Sequence, residues 1–294
     1  MKCRYKDKVV LACMYFIVIG FALACLYPML MAVAVSFSDE QSVLANGYRL
    51  IPSKWSLDAY EYFIMGKGMT MLRAYGVSFF VLIVGVSIAM VTTVCYAYAS
   101  SVRGFRGGNV LGLFAYFTML FSGGMLPWYI MCTRYYHLNN TVWGLILPSA
   151  MNVFNMYLMR NFFRTIPSGL AEAARVDGAG QLQIFLRVML PLAKVGLVTI
   201  ALFYALGFWN DWYLALMMIT DEDLYPLQYL LYIMTTNANF LATSNNAAMA
   251  QYVVVPAETA QMAMTCIAIG PIVLVYPLVQ RYFVKGITLG AVKG

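Results

Sequence analysis

The chain has 294 residues, of which 62% are hydrophobic and 11% charged. Soluble domains run at about 45–50% apolar and ~25% charged, so an ordinary soluble domain is excluded. An aromatic share of 15% excludes a disordered chain, and the net charge of +7 has to be explained by where the charges fall.

A membrane-spanning helix takes roughly 20 apolar residues, and six such runs follow one another. Residues 1–8 form a basic lead with Lys2, Arg4, Lys6 and Lys8. The first run, residues 9–37, contains Pro28 and is too long for the apolar core of a cleavable signal. Residues 38–70 form a long polar segment with Pro52 and Trp55. The second run is 74–99, and the third is 110–132 with Gly123, Gly124 and Pro127 inside it. The fourth is 142–163 with Pro148, and the fifth is 188–219 with Pro191 near its start. A second long segment, 220–256, carries Asp221-Glu222-Asp223 and an apolar piece at 227–234 suited to a short surface helix. The sixth run is 257–284 with Pro271 and Pro277, and a tail covers 285–294. None of the runs alternates with the period of two that a barrel strand needs. The expected fold is all-α: one polytopic domain over 9–284 with six transmembrane helices and no appended soluble domain.

Positive charge marks the cytoplasmic side of membrane proteins. Fourteen of the 19 Lys and Arg lie at the N-terminus, between runs two and three, between runs four and five, and at the C-terminus, while nine of the 12 acidic residues lie in the other segments. Both termini are therefore expected in the cytoplasm, with 38–70 and 220–256 external. Topology and anionic headgroups account for the charge, and nucleic acid is not expected as a partner. Trp55, Trp128, Trp143, Trp209 and Trp212 then fall toward the outer side, as an interfacial aromatic belt would.

The six cysteines form no CxxC pair and His137 is the sole histidine, so no metal site is expected. No GxxxxGK[ST] phosphate loop and no Ser/His/Asp or Cys/His constellation is present. The chain is therefore not expected to be an enzyme, and energy for any active process must come from elsewhere.

The strongest local signal lies in the segment 164–190. Residues 166–178 read Ile-Pro-Ser-Gly-Leu-Ala-Glu-Ala-Ala-Arg-Val-Asp-Gly. Ser168 suits an N-cap, Glu172 and Arg175 form an i,i+3 pair, and Gly178 suits a left-handed stop. A nine-residue helix is not stable alone in water, so it needs a partner surface. Leu182, Phe185, Leu186 and Met189 mark a second amphipathic turn. Two helices that merely cap their own bundle would read the same way.

Glu172-Ala173-Ala174, three residues, Gly178, nine residues and Val188-Met189-Leu190-Pro191 resemble the EAA loop of ABC-importer permeases. Val188 replaces the usual Ile. The stretch from Arg160 to Pro167 and the tail from Gln280 to Gly294 are similar to the carbohydrate (MalG-like) branch, nearest its complex-oligosaccharide subfamily. The resemblance implies a permease subunit of the bacterial cytoplasmic membrane that moves a carbohydrate inward. It implies pairing with a second, homologous permease subunit, two cytoplasmic ATPase subunits that hold ATP and Mg, and an external solute-binding protein. It implies a cytoplasmic coupling helix with Glu172, Ala173, Ala174, Asp177, Gly178, Leu190 and Pro191 at the ATPase contact. No cofactor is implied for this chain itself.

A sugar path needs hydroxyl partners and aromatic faces. Run five offers Tyr204, Phe208 and Trp212 at i, i+4 and i+8, with Trp209, Asn210 and Asp211 beside them, and run four offers Asn152 and Asn155. Two readings stand for the asparagines: pathway contacts, or interhelical hydrogen bonds. Trp209 and Trp212 are divided between path and interfacial belt. Asp211, near the outer end, has a further reading as a solvated residue. An ion-coupled secondary transporter would show a deep ionisable relay and inverted repeats, and neither is visible. The same family with a non-sugar cargo is the other alternative.

Overall fold

The computed structural model describes residues 5–66, 68–102, 104–243 and 258–273. The tail 285–294, the end of the sixth run and the last part of the second long segment lie outside the described residues. In chain order the helices are α1 (Tyr5–Ser36), α2 (Glu40–Asn46), α3 (Asp58–Glu61), α4 (Gly68–Ser101), α5 (Gly108–Leu120), α6 (Met125–Ile130) and α7 (Val142–Ile146). They continue with α8 (Val153–Thr165), α9 (Ser168–Val176), α10 (Gln181–Ile184), α11 (Leu190–Leu192), α12 (Lys194–Asn210), α13 (Tyr213–Met218) and α14 (Leu227–Thr243). A last helix, α15, covers 258–273. Extended pairing among the described residues is confined to one bridge, Ser38 with Trp55.

Helices α1 and α4 are each long and apolar enough to cross a bilayer unbroken. The third, fourth and fifth runs each contain a proline, which kinks helices, and each of these regions is a bent pair. Gly108–Leu120 turns by 114° into Met125–Tyr135, Val142–Ser149 by 49° into Val153–Thr165, and Gln181–Leu192 by 80° into Lys194–Asn210. Each break has a local cause. Phe121 is extended and Gly124 has a φ of 89°. Pro148 sits in a 3-10 turn, after which the Asn152 side chain accepts from Asn155 N–H and starts α8. Pro191 lies in the three-residue α11, before the bend at Ala193. The segment 38–70 holds α2 and α3. The apolar piece at 227–234 belongs to the longer α14.

Two compact units emerge. One comprises the described residues within 1–68 and 231–271. Here Ser36 is fully buried and shares a 2.9 Å hydrogen bond with the Tyr60 hydroxyl, while the Phe37 and Tyr60 rings stack at 4.9 Å. Asp39 caps α2 by accepting from Ser42 N–H and pairs with Lys54 at 3.3 Å. The Glu40 carboxylate accepts from the N–H groups of Glu258 and Thr259 at 3.0 and 2.9 Å. A carboxylate at a helix start satisfies donors that lack intrahelical partners. Beside it the Tyr48 hydroxyl donates to Glu258, and that bond, with burial and the negative charge of Glu258 and then Glu40, pushes the phenol up to about 12.

The other unit comprises the described residues within 69–230, with 272 and 273. Its organising element is α4, whose buried positions include Met71, Ala74, Ser78, Val81, Gly85, Ala89, Thr93, Ala97 and Ser100. Steps of three and four put these on one face, and the small residues among them let neighbours approach closely. In α12 the sequence Gly196, Ile200, Tyr204, Phe208 is buried at every fourth position. Asn155, Met156, Met159, Arg160 and Phe163 are buried in α8.

Candidate functional site

Two regions of the second unit gather the residues singled out above. The first is α9 with the chain on either side of it. Ile166 precedes a proline and is extended, which ends α8. Pro167 takes the flanking position, so Ser168 is the first helical residue rather than the N-cap expected of it. At the other end Gly178 adopts a φ of 83°. Gly178 N–H donates to Arg175 C=O at 3.1 Å and Ala179 N–H to Ala174 C=O at 2.9 Å. These two bonds form a Schellman closure. A left-handed conformation is cheap for glycine alone, which is why this stop is so sharply placed.

No residue of α9 is buried. Leu170 is 46% exposed and Val176 88%. Glu172 and Ala173 are exposed and Ala174 half-buried, with Asp177 exposed at the C-cap. The ion pairs among the described residues are Lys54–Asp39 and Arg73–Asp223, so the expected Glu172–Arg175 pair is not formed. Three residues apart, the two side chains have water available instead, and an exposed pair is worth little. The second amphipathic turn is divided: Phe185 and Met189 are buried, Leu182 and Leu186 exposed. Leu190 is half-buried and Pro191 exposed at the bend into α12.

Beneath α9 lies an aromatic base. Tyr98 meets Phe163 at 5.6 Å and Phe185 at 4.6 Å, joining the ends of α4 and α8 to the chain after α10. The Tyr98 hydroxyl donates to Gln181 Oε1 at 3.1 Å. A cleft of about 590 Å3, counting its mouth, separates α9 from these helix ends and is lined by Ser101, Arg164, Ala171 and Glu172 among others.

Arg160, a topology charge and the start of the family-like stretch Arg160 to Pro167, has a further structural role. It is 7% exposed, and its Nε–H donates to Ser100 C=O at 3.1 Å. Ser100 lies in the last turn of α4, whose carbonyls lack intrahelical partners and carry the negative end of the helix dipole. Gly112 of α5 makes room for the guanidinium: an added Cβ would stand 2.6 Å from Nη1. A tripeptide pattern does not announce such a clasp, because its partners are far apart in sequence.

The second region is a cleft of about 740 Å3, counting its mouth, between the α7–α8 break and α12. It brings together Asn152, Asn155, Tyr204 and Phe208 of the seven residues nominated for a path. Tyr204 organises it. Its hydroxyl accepts from Asn152 N–H at 2.8 Å and shares a 2.5 Å hydrogen bond with Thr93 Oγ1. The other three nominated residues lie outside the lining. Trp209 is 5% exposed and packs on Phe79 at 5.4 Å, so it belongs to the core rather than to an interfacial belt. Asn210 donates from Nδ2 to Leu206 C=O at 2.8 Å, and Trp212 is exposed beside Tyr213. Asp211 does line the cleft. Its position at the end of α12, where the helix breaks before α13, is the signal that would have nominated it.

The family described as "binding-protein-dependent transport system inner membrane component" matches residues 97–289. The chain is 39% identical over 267 residues to Protein LplC of Bacillus subtilis (strain 168), covering 91% of this chain and 89% of that protein. It is 36% identical over the full length of both chains to the polygalacturonan/rhamnogalacturonan transport system permease protein YtcP of the same organism. Among solved structures it resembles a chain of a bacterial ABC transporter involved in the import of the acidic polysaccharide alginate. The TM-score there is 0.82 and the identity 32%, with 95% of this chain and 98% of that chain covered.

Proposed function

The chain belongs to the family of binding-protein-dependent transport system inner membrane components, and from that premise we propose that it forms the path by which an oligosaccharide is imported. It is a multi-pass, all-helical permease of the inner membrane, and it works with an ATPase and a binding protein rather than as a catalytic subunit. The carbohydrate cargo is supported by the full-length likeness to a polysaccharide permease.

In the finer reading, six spans run between cytoplasmic termini, and the described α1, α4, three bent pairs and α15 supply them. A second homologous permease completes the translocator, and two ATPase subunits hold ATP and Mg. The segment 164–190 docks on one ATPase subunit. Helix α9, with Glu172, Ala173, Ala174, Asp177 and Gly178, enters its surface, and Leu190 and Pro191 carry the movement into α12. The single observation supporting this docking is the closed α9, largely exposed and with no buried residue, above an aromatic base. An exposed nine-residue helix gains stability only from a partner, and the Tyr98–Phe163–Phe185 base would pass its displacement to α4 and α8 as a rigid-body shift. On the opposite side, the Tyr204 cleft contributes to the sugar path.

Reconstitution of the complete transporter in liposomes with its binding protein tests this reading. Glu172→Lys should leave assembly intact and abolish the stimulation of ATP hydrolysis by loaded binding protein. Wild-type stimulation in that variant would remove α9 from the ATPase contact.

A further inference from the structure

Asp211 gives the cleft a charge that the sugar reading alone does not require. Its Oδ1 accepts from the N–H groups of Tyr213 and Leu214 at 3.0 and 3.1 Å. Two backbone donors hold the carboxylate at the start of α13, so it cannot swing away as a solvated side chain would. Asp211 is half-buried and lines the cleft together with Asn152, Asn155, Tyr204 and Phe208. Among the described residues lining that cleft, none is Lys, Arg or His. A fixed carboxylate accepts hydrogen bonds from a vicinal diol, and asparagine side chains can donate and accept beside it. The same carboxylate repels a second one, and more strongly where low-dielectric walls replace water.

We propose that the cleft is built for a neutral oligosaccharide and disfavours chains bearing uronate groups, with Asp211 as the residue that sets the preference. The proposal rests on the reading of the cleft as part of the sugar path. It separates this chain from the cargo named for two of its relatives, polygalacturonan and alginate, both polyuronates.

The test uses the complete transporter in liposomes, with the native cysteines replaced and Gly207→Cys introduced. Gly207 lines the cleft and has open space where a side chain would go. A cationic and an anionic methanethiosulfonate reagent are compared, each normalised to its rate with a free thiol. The cationic reagent should react about tenfold faster, and Asp211→Asn should bring the ratio near one. Equal rates in the parent, or a preference that survives Asp211→Asn, overturn the proposal. In a second arm, uptake of galactotriose and of trigalacturonate is measured in wild type and Asp211→Lys. Taking the ratio between variants cancels the selectivity of the binding protein. That ratio should move toward trigalacturonate by about tenfold, and an unchanged ratio overturns the proposal. Uptake of neither sugar, with the cationic preference intact, defeats the carbohydrate reading and the cargo class that depends on it, but leaves the charge of the cleft standing.

Discussion

Helix α9 and the Tyr204 cleft are built in opposite ways. The helix is closed by backbone bonds within residues 173–179 and buries none of its side chains. The cleft is closed by side chains: the Tyr204 hydroxyl of α12 joins the Asn152 backbone at the N-cap of α8 and the Thr93 hydroxyl of α4. The first behaves as a handle, rigid in itself and incomplete without a partner. The second is a space kept open by neighbours. Changes to the handle should therefore cost coupling and spare the fold, whereas changes to the cleft should cost both.

The largest expected effect is at the end of the handle. A Cβ at Gly178 would meet no heavy atom within 4 Å, so the cost of Gly178→Trp to the fold is chiefly the left-handed backbone, roughly 1–2 kcal/mol, beside obstruction of the docked partner. Binding-protein-stimulated ATP hydrolysis should be lost while the protein remains in the membrane at normal levels. If its thermal unfolding collapses instead, α9 is part of the fold and the contrast is broken.

Arg160→Leu comes next. It strands the Ser100 carbonyl and empties the space beside Gly112, and a buried carbonyl left unpaired costs about 1–3 kcal/mol. Thermal unfolding in detergent should fall and uptake with it. Stability equal to wild type would mean that the base beneath the handle does not depend on the clasp.

Tyr204→Phe should have a smaller effect, about 1 kcal/mol for the lost hydroxyl bonds. Because Asn152 and Thr93 lose a common partner, uptake and stability should decline together. A fall in uptake at unchanged stability would break the contrast and assign the hydroxyl to direct sugar contact.

The smallest effect is local to the other unit. Tyr48 has its phenol pushed up to about 12 against an ordinary 10.0. Its folded value is the higher one, so its contribution is complete below pH 10 and is lost as pH rises toward 12. Difference absorbance against Tyr48→Phe should show this late ionisation, and Glu258→Gln should bring it back toward the ordinary value. A phenol that still ionises near 12 in Glu258→Gln would assign the shift to burial and the Glu40 charge rather than to Glu258.

The handle was legible because its determinants are contiguous. Pro167, the Glu172-Ala173-Ala174 helix and Gly178 each act within one or two turns, and the helix appears over Ser168–Val176. Even there, an extended Ile166 before proline moved the start by one position from the expected Ser168 cap. The cleft was only half legible. Asn152, Asn155, Tyr204 and Phe208 line it, but Trp209 follows Phe208 by one residue, 100° around the helix, and packs into the core on Phe79. Composition and helical period do not tell which face of an apolar helix meets a void, since α12 is apolar all round. For Asp211 the sequence leaves path and solvent both open, because it does not say whether a residue at a helix break faces a void or water.

By itself the sequence determined that the protein is all-helical, that six apolar runs follow one another, and that a short helix with a glycine stop projects between the fourth and fifth. Hydropathy, proline and glycine act locally, and no distant residue can overrule them cheaply. Only the tertiary structure decided how sharply runs three to five bend, that Arg160 is a buried clasp rather than a surface charge, and which side chains face the cleft. Those outcomes depend on close packing between helices far apart in sequence, where a missing Cβ at Gly112 or a single hydroxyl at Tyr204 chooses among arrangements that the local chemistry leaves nearly equal.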